Sequence, residues 1–244
     1  MSAEPVGPLP NLFIVADGMG GHNGGAIASR QAVDVFCSYV RAYAEGGSAA
    51  GESPTGVSSA IGSQLDLMMD AVTAANRRVH EASLSDPALK GMGTTLTACT
   101  VHDGKCEIVH IGDSRAYMVT PGQIKQLTTD HSFVNEMVKA GKLTPKEALA
   151  HPQKNILTRA LGIDSDMSAD GYICNLDERC VLLLCSDGLT NMVSDAVLRA
   201  EALKHTAVAG RVDALVKKAN RNGGMDNISL IIIDTNTTDR AGER

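Results

Sequence analysis

A chain of 244 residues with 43% apolar side chains has ample material for a core, and that core must rest on aliphatic and sulfur side chains, because Trp is absent and only 3% of residues are aromatic. With 22 basic and 28 acidic residues the net charge is -6 and no basic stripe stands out, which disfavours a nucleic-acid partner. No apolar run approaches the roughly 20 residues that span a bilayer, the start Met-Ser-Ala-Glu-Pro lacks the layout of a signal peptide, and the six cysteines form no C-x-x-C pair, so the chain reads as a cytoplasmic protein with reduced thiols and no membrane segment.

The first apolar run, Leu12-Phe-Ile-Val-Ala, has strand length and ends in Asp17, after which the chain breaks into Gly18-Met-Gly-Gly-His22. Glycines there let the backbone turn tightly, so that a peptide carbonyl as well as a side chain can reach one point. Residues 24–45 carry Val33, Phe36, Val40 and Tyr43 at steps of three and four, one face of an amphipathic helix. Residues 46–59, rich in Gly, Ser and Pro, read as a loop, and a second helix follows with Ile61, Leu65, Met68, Val72, Ala75 and Val79 on one stripe. A β-meander is expected next: strands over 94–102, 105–111, 114–119 and 123–127, joined by turns at Asp103-Gly104, Gly112-Asp113 and Pro121-Gly122. Residues 133–161 switch to short helical pieces, and Thr144-Pro145-Lys146-Glu147 spells a capping box with Pro at the first helical position. Strand patterns return at 171–176 and 180–185. Helices then start from an N-cap at Ser194 and over Val212, Leu215 and Val216, and the last apolar run is Ile228 to Ile233.

Helices and strands in segregated runs, without regular βαβ alternation, indicate an α+β fold with mostly antiparallel sheets. The runs 180–185 and 228–233 are nearly continuously apolar, so both of their faces should be covered. Two stacked sheets with helices outside, a four-layer α-β-β-α sandwich, meet that need. We expect one domain over residues 1–236 with a small helical flap at about 131–162, then a polar tail over 237–244.

Four aspartates share one context. Asp17, Asp113 and Asp187 each end an apolar run, and Asp226 stands just before one. Carboxylates and a peptide carbonyl are hard oxygen ligands that suit Mg²⁺ or Mn²⁺, and carboxylates crowded together repel one another unless a cation offsets them. Two such ions about 3.5–4 Å apart can activate a water and clamp a phosphoryl group. Each piece also has a plainer reading, since Asp-Gly after a strand is a common turn and His22 beside glycines fits a solvated loop. The glycine cluster lacks both phosphate-loop patterns. No G-x-S-x-G elbow and no Cys followed after five residues by Arg offers a covalent nucleophile. Residue by residue, the sequence stops at a metal-binding hydrolase or a metal-binding module.

Seven strings occur in order: Asp17-Gly-Met-Gly-Gly-His22, Gly91-Met-Gly-Thr-Thr-Leu96, Gly112-Asp-Ser-Arg-Ala-Tyr117, Leu127-Thr-Thr-Asp-His-Ser132, Leu157-Thr-Arg-Ala-Leu-Gly162, Ser186-Asp-Gly-Leu189 and Asp226-Asn227. Together they resemble the metal-dependent protein serine/threonine phosphatases of the protein phosphatase 2C (PPM) type in their compact bacterial form, over about residues 11 to 234. The resemblance implies a β-sandwich flanked by helices and two Mn²⁺ or Mg²⁺ ions. Asp17 would bridge the ions, the Gly18 carbonyl would bind the first, Asp187 and Asp226 would complete the pair, and Asp113 with Asp187 would form a third, weaker site. It implies hydrolysis of phosphoserine and phosphothreonine by activated water without a phosphoenzyme, with Asp17, Asp187 and Asp226 as the catalytic set. His22 would be the acid for the leaving oxygen, although eukaryotic relatives carry their histidine directly after Asp-Gly, where this chain has Met19. The implied partners are phosphorylated proteins, a cognate Ser/Thr kinase and its substrates, met by a monomer in signal transduction, with the flap beside the cleft selecting among them.

One departure accompanies the resemblance. The family pattern opens with two further strands bearing Arg-x-x-Asn-Glu/Gln-Asp, and nothing in Met1 to Asn11 matches it. Without that stretch a sandwich edge would lie open, and loss of a bidentate grip on phosphate would cost roughly 2–4 kcal/mol. On that ground an impaired or non-catalytic phosphoprotein-binding scaffold is the alternative expectation.

Overall fold

The computed structural model describes residues 6–45, 63–176 and 179–235, apart from the side chain of His22. The expected loop over 46–59, the first stripe residue Ile61 and the tail over 237–244 lie outside the described residues. In chain order the elements are β1 (Leu12–Val15), β2 (Gly18–Met19), α1 (His22–Ala44), α2 (Gln64–Ser85), β3 (Gly93–Thr94), β4 (Leu96–His102) and β5 (Lys105–Ile111). They continue with β6 (Arg115–Val119), β7 (Ile124–Gln126), α3 (Phe133–Lys139), α4 (Pro145–Ala150), β8 (Asp170–Asn175) and β9 (Val181–Cys185). The last are α5 (Asp187–Thr190), α6 (Asp195–Ala202), α7 (Val208–Arg221) and β10 (Leu230–Asp234). The chain divides into two compact units, one from Met1–Gly112 with Arg159–Cys174 and the other from Asp113–Thr158 with Asn175–Arg244.

In the first unit, α1 and α2 pack on each other, α1 against β2 and β3 and α2 against β5, and both share one core cluster with Leu96, Ala98, Val109 and Ile111 of a four-stranded sheet of order β1-β4-β5-β8. The buried stripe of α1 is Ala28, Ala32, Phe36 and Val40, at steps of four that keep one face toward the sheet. Two of its small residues let the helix approach closely, and Phe36 fills the gap, a burial worth about 2–3 kcal/mol. Tyr43, expected on this stripe, is 42% exposed at the end of the helix, because the stripe drifts off the core by its last turn. On α2, Met68, Val72, Ala75 and Val79 are fully buried as expected, and Ser63 caps the helix through a bond from the Asp66 N–H.

In the second unit the sheet runs β10-β9-β6-β7, and α5, α6 and α7 contribute Leu189, Leu198, Leu215 and Ala219 to its core. Arg211 of α7 is buried and ties three elements, donating to the Ala202 carbonyl (2.7 Å) and to Asp234 Oδ2 (2.6 Å). The Thr144 capping box at the start of α4 forms as the sequence predicts, with the side chains of Thr144 and Glu147 each bonding the other's backbone N–H.

Two expectations are corrected. The four strands between residues 94 and 127 do not make one meander: β4 and β5 form a hairpin in the first unit, whereas β6 pairs with β7 and β9 in the second. Between them lies Gly112, where φ is 106° and a Cβ would meet the Thr95 side chain at 2.6 Å, a position that only glycine fits. The second correction concerns the last apolar runs. β9 is buried along its whole length, but β10 is the edge strand of its sheet, and of its five residues only Ile232 and Ile233 are buried.

Cys185 closes β9 without any exposure, and burial pushes its thiol pKa up to about 12. The thiol therefore stays protonated at pH 8. Iodoacetamide is expected to leave Cys185 unlabelled in the folded chain and to label it in urea, as read by peptide mass mapping. Labelling of the native protein at the urea rate would contradict the packing. Among the described residues, no helix is long and apolar enough to cross a membrane.

Candidate active site

Asp17 leaves the end of β1, and its backbone is held from three directions. Its N–H donates to Thr95 Oγ1 (3.0 Å), and its carbonyl accepts from the Thr95 N–H (2.8 Å) and from Thr94 Oγ1 (2.9 Å). Gly18 is then pressed against the first turn of α1: a Cβ would lie 1.9 Å from the Gly25 carbonyl oxygen, a position no other residue type can occupy. Short strand β2 completes the arrangement by pairing with β3, Gly18 opposite Thr94. The Asp-Gly break thus becomes a fixed platform, because the sequence supplies two threonines as clamps and glycine where backbones meet. His22 is the first residue of α1, and its side chain lies outside the described residues.

Three other aspartates gather at one end of the second unit's sheet. β6 and β10 both flank β9, and Cys185 is the register partner of Arg115 on one side and of Leu230 on the other. Continuing those registers two residues past β9 puts Asp187 across from Asp113, while Asp226 stands on the approach to β10. Ser186 fastens the neighbouring loop. Its N–H donates to the Ser229 carbonyl (3.0 Å), and its hydroxyl donates to the Asn227 carbonyl (3.2 Å) and accepts from the Ser229 N–H (3.1 Å). Gly188 sits so close to this loop that a Cβ would lie 2.2 Å from the Asn227 oxygen. Asp187 Oδ2 accepts from Asn191 Nδ2 (3.0 Å), and Asp226 Oδ1 accepts from the Asn227 N–H (2.8 Å).

Asp113 and Asp187 line the same cleft of about 420 Å³, bounded on one side by Val134 and Val138 of α3 and by Ala148 and Leu149 of α4. Deeper in it, Arg115 grips Asp130, with Nε and Nη2 on the carboxylate at 2.6–3.1 Å and Nη1 on the Tyr117 hydroxyl (3.0 Å). Burial works against the Arg115 charge, but the bonds and the charge of Asp130 outweigh it, so the guanidinium is held above its ordinary pKa. Burial likewise raises the Tyr117 phenol. Asp130 also accepts from Gln126 Nε2 (2.8 Å), and its carbonyl accepts from Asn135 Nδ2 (2.6 Å), which anchors α3.

Of the residues read from the sequence, Asp113 and Asp187 share a cleft, Asp226 stands on the loop packed against Gly188, and Asp17 and Gly18 belong to the first unit. Among the described residues, no three carboxylate, imidazole or thiol groups form a cluster close enough to hold an ion by themselves. The donors offered at these strand ends are all oxygens, a set that fits hard divalent cations and not zinc. Sequence reading passed over the clamps Thr94 and Thr95, the Arg115–Asp130 pair and Asn191. Asn191 carried a signal, since it stands four residues after Asp187 within one helical turn.

The profile described as Protein phosphatase 2C matches residues 7–218. The protein phosphatase PhpP of Streptococcus pneumoniae is 37% identical over 229 residues, covering 93% of this chain and 87% of its own. The serine/threonine phosphatase of S. agalactiae superposes with a TM-score of 0.79 at 38% identity, over 91% of this chain and 86% of that one. The catalytic domain of the serine threonine protein phosphatase PstP, solved in complex with two manganese ions, gives a TM-score of 0.76 at 31% identity, over 92% of this chain and 87% of that one. The α+β architecture expected from the sequence is that of these phosphatases.

Proposed function

The chain belongs to the protein phosphatase 2C family and is a protein phosphatase, and from that premise we propose that it hydrolyses phosphoserine and phosphothreonine in proteins with two Mn²⁺ or Mg²⁺ ions, opposing a cognate Ser/Thr kinase. The observation that carries the proposal is the register of β6 on β9, which puts Asp113 across from Asp187, with Asp226 on the loop that leads into β10. Asp17, the Gly18 carbonyl, Asp187 and Asp226 would hold the ions, with Asp113 and Asp187 offering a third position. When bound, the ions supply Lewis acidity that lowers the pKa of water and offsets phosphoryl charge.

The chain's own residues do the remaining work. Thr94 and Thr95 fix the backbone of Asp17, so its carboxylate starts from one place. Asn191 orients Asp187 by donating to its Oδ2. In this reading His22 delivers a proton to the leaving seryl or threonyl oxygen. The family profile runs across both compact units, which supports reading residues 1–236 as a single phosphatase domain; we take it to act as a cytoplasmic monomer. The relatives named above are phosphatases, which does not favour the scaffold alternative.

The test is phosphate release from a phosphothreonine peptide during a manganese titration. Turnover is expected to appear with Mn²⁺ or Mg²⁺ and to vanish with a chelator. Release no higher than the blank at saturating Mn²⁺ would overturn the proposal.

A further inference from the structure

Four carboxylates and two cations line the cleft, an acidic surface into which a doubly negative phosphoryl group must nevertheless fit. The carboxylates are Asp113, Asp130, Asp187 and Asp195; the cations are Arg115 and Lys154. Arg115 is committed, with three of its donors spent on Asp130 and Tyr117. Lys154 is not. Its only polar side-chain contact among the described residues is a long hydrogen bond, 3.5 Å, to the neutral Asn191 Oδ1. The other end of that amide donates to Asp187 Oδ2, so Asn191 is turned with its oxygen toward Lys154 and its nitrogen toward Asp187. An ammonium has three donors, and two of these remain for a ligand within one side chain of Asp187.

The segment carrying Lys154 is itself held. The Lys154 N–H bonds the His151 carbonyl (3.1 Å), the Ile156 N–H bonds the Gln153 carbonyl (3.2 Å), and the Phe133 N–H bonds the Ile156 carbonyl (2.8 Å), which fastens both ends of the flap together. The backbone that carries the charge is therefore fixed at the cleft, and an ammonium on a flexible stem can reach a phosphate there as a point charge. We propose that Lys154 is a phosphate-binding residue, contacting a peripheral oxygen of the substrate phosphoryl group in the cleft shared by Asp113 and Asp187. This assignment rests on the phosphatase reading and names a group that reading does not use.

The test is equilibrium binding of inorganic phosphate to the manganese-loaded full chain by calorimetry, alongside turnover of a phosphothreonine peptide. Lys154→Ala is expected to weaken phosphate binding about tenfold and to raise KM for the peptide by a similar factor, with manganese affinity unchanged; Lys154→Arg should stay within about threefold of the parent. Lys154 is a half-exposed side chain, so neither change threatens the fold. Phosphate binding equal in Lys154→Ala and the parent, or absent from both, would overturn the assignment. Lys154-dependent phosphate binding without peptide turnover would support the assignment and sink the phosphatase reading. Turnover with phosphate binding blind to Lys154 would do the reverse.

Discussion

Asp17→Asn is expected to lower metal-dependent turnover about a thousandfold, equivalent to about 4 kcal/mol of transition-state stabilisation, while the protein stays folded. The two halves of that expectation come from different atoms. The bonds that hold residue 17 in place run from Thr94 and Thr95 to its peptide N–H and carbonyl, and an asparagine makes them equally well. The substitution therefore changes the side-chain charge at constant shape. In the proposed site that charge would help to hold the divalent cations, and a neutral amide would offer one weak oxygen in its place. Manganese titrations should show weaker uptake as well as slower release of phosphate, with an unchanged urea midpoint. A variant within tenfold of the parent would show that Asp17 does not hold the ions.

The largest effect on stability is expected from Arg115→Ala, a loss of about 3 kcal/mol. The side chains of Arg115 and Asp130 are 25% and 15% exposed, so the carboxylate left behind has little access to water. It keeps the Gln126 bond and loses all three guanidinium contacts. The Tyr117 hydroxyl, within a wholly buried residue, loses its partner in the same step. For a chain of this size the melting temperature should fall by roughly 6–12 °C. Adding Asp130→Ala should restore part of the loss, giving a coupling of about 1–2 kcal/mol in a double-mutant cycle. Simple additivity of the two changes would mean that the pair is not the element fastening β6 to the flap.

Local chemistry made much of this readable in advance. An apolar run that ends in Asp-Gly announces both a strand and the place where a carboxylate leaves the sheet, and Asp17 and Asp187 were legible for that reason. The capping box at Thr144 and the regular stripe of α2 are short-range patterns and formed as written. What the sequence hid was set by distant partners. Gly112-Asp113 has the composition of a hairpin turn, yet β6 pairs with β7 and β9 and not with β5, a choice made by partners distant in the chain. Tyr43 fits the period of α1 but sits past the end of the surface that could bury it. Lys154 and Asn191 lie 37 residues apart and carry no shared pattern, so nothing short of the folded cleft joins them.

The path of the backbone has a consequence for how the molecule is made. The chain leaves the first unit after Gly112, returns to it at Arg159 and departs again after Cys174, so the first unit closes only after the second has begun. On the ribosome, β5 waits for β8 to cover its far edge, and β6 waits for β9 to emerge some sixty residues later, a nonlocal closure of the kind that slows folding. The loop bearing Asp226 and the strand β10 arrive last of all. A prematurely terminated product would therefore display unpaired strand edges, inviting chaperones or proteases, and would lack one of the carboxylates assigned to the metal ions.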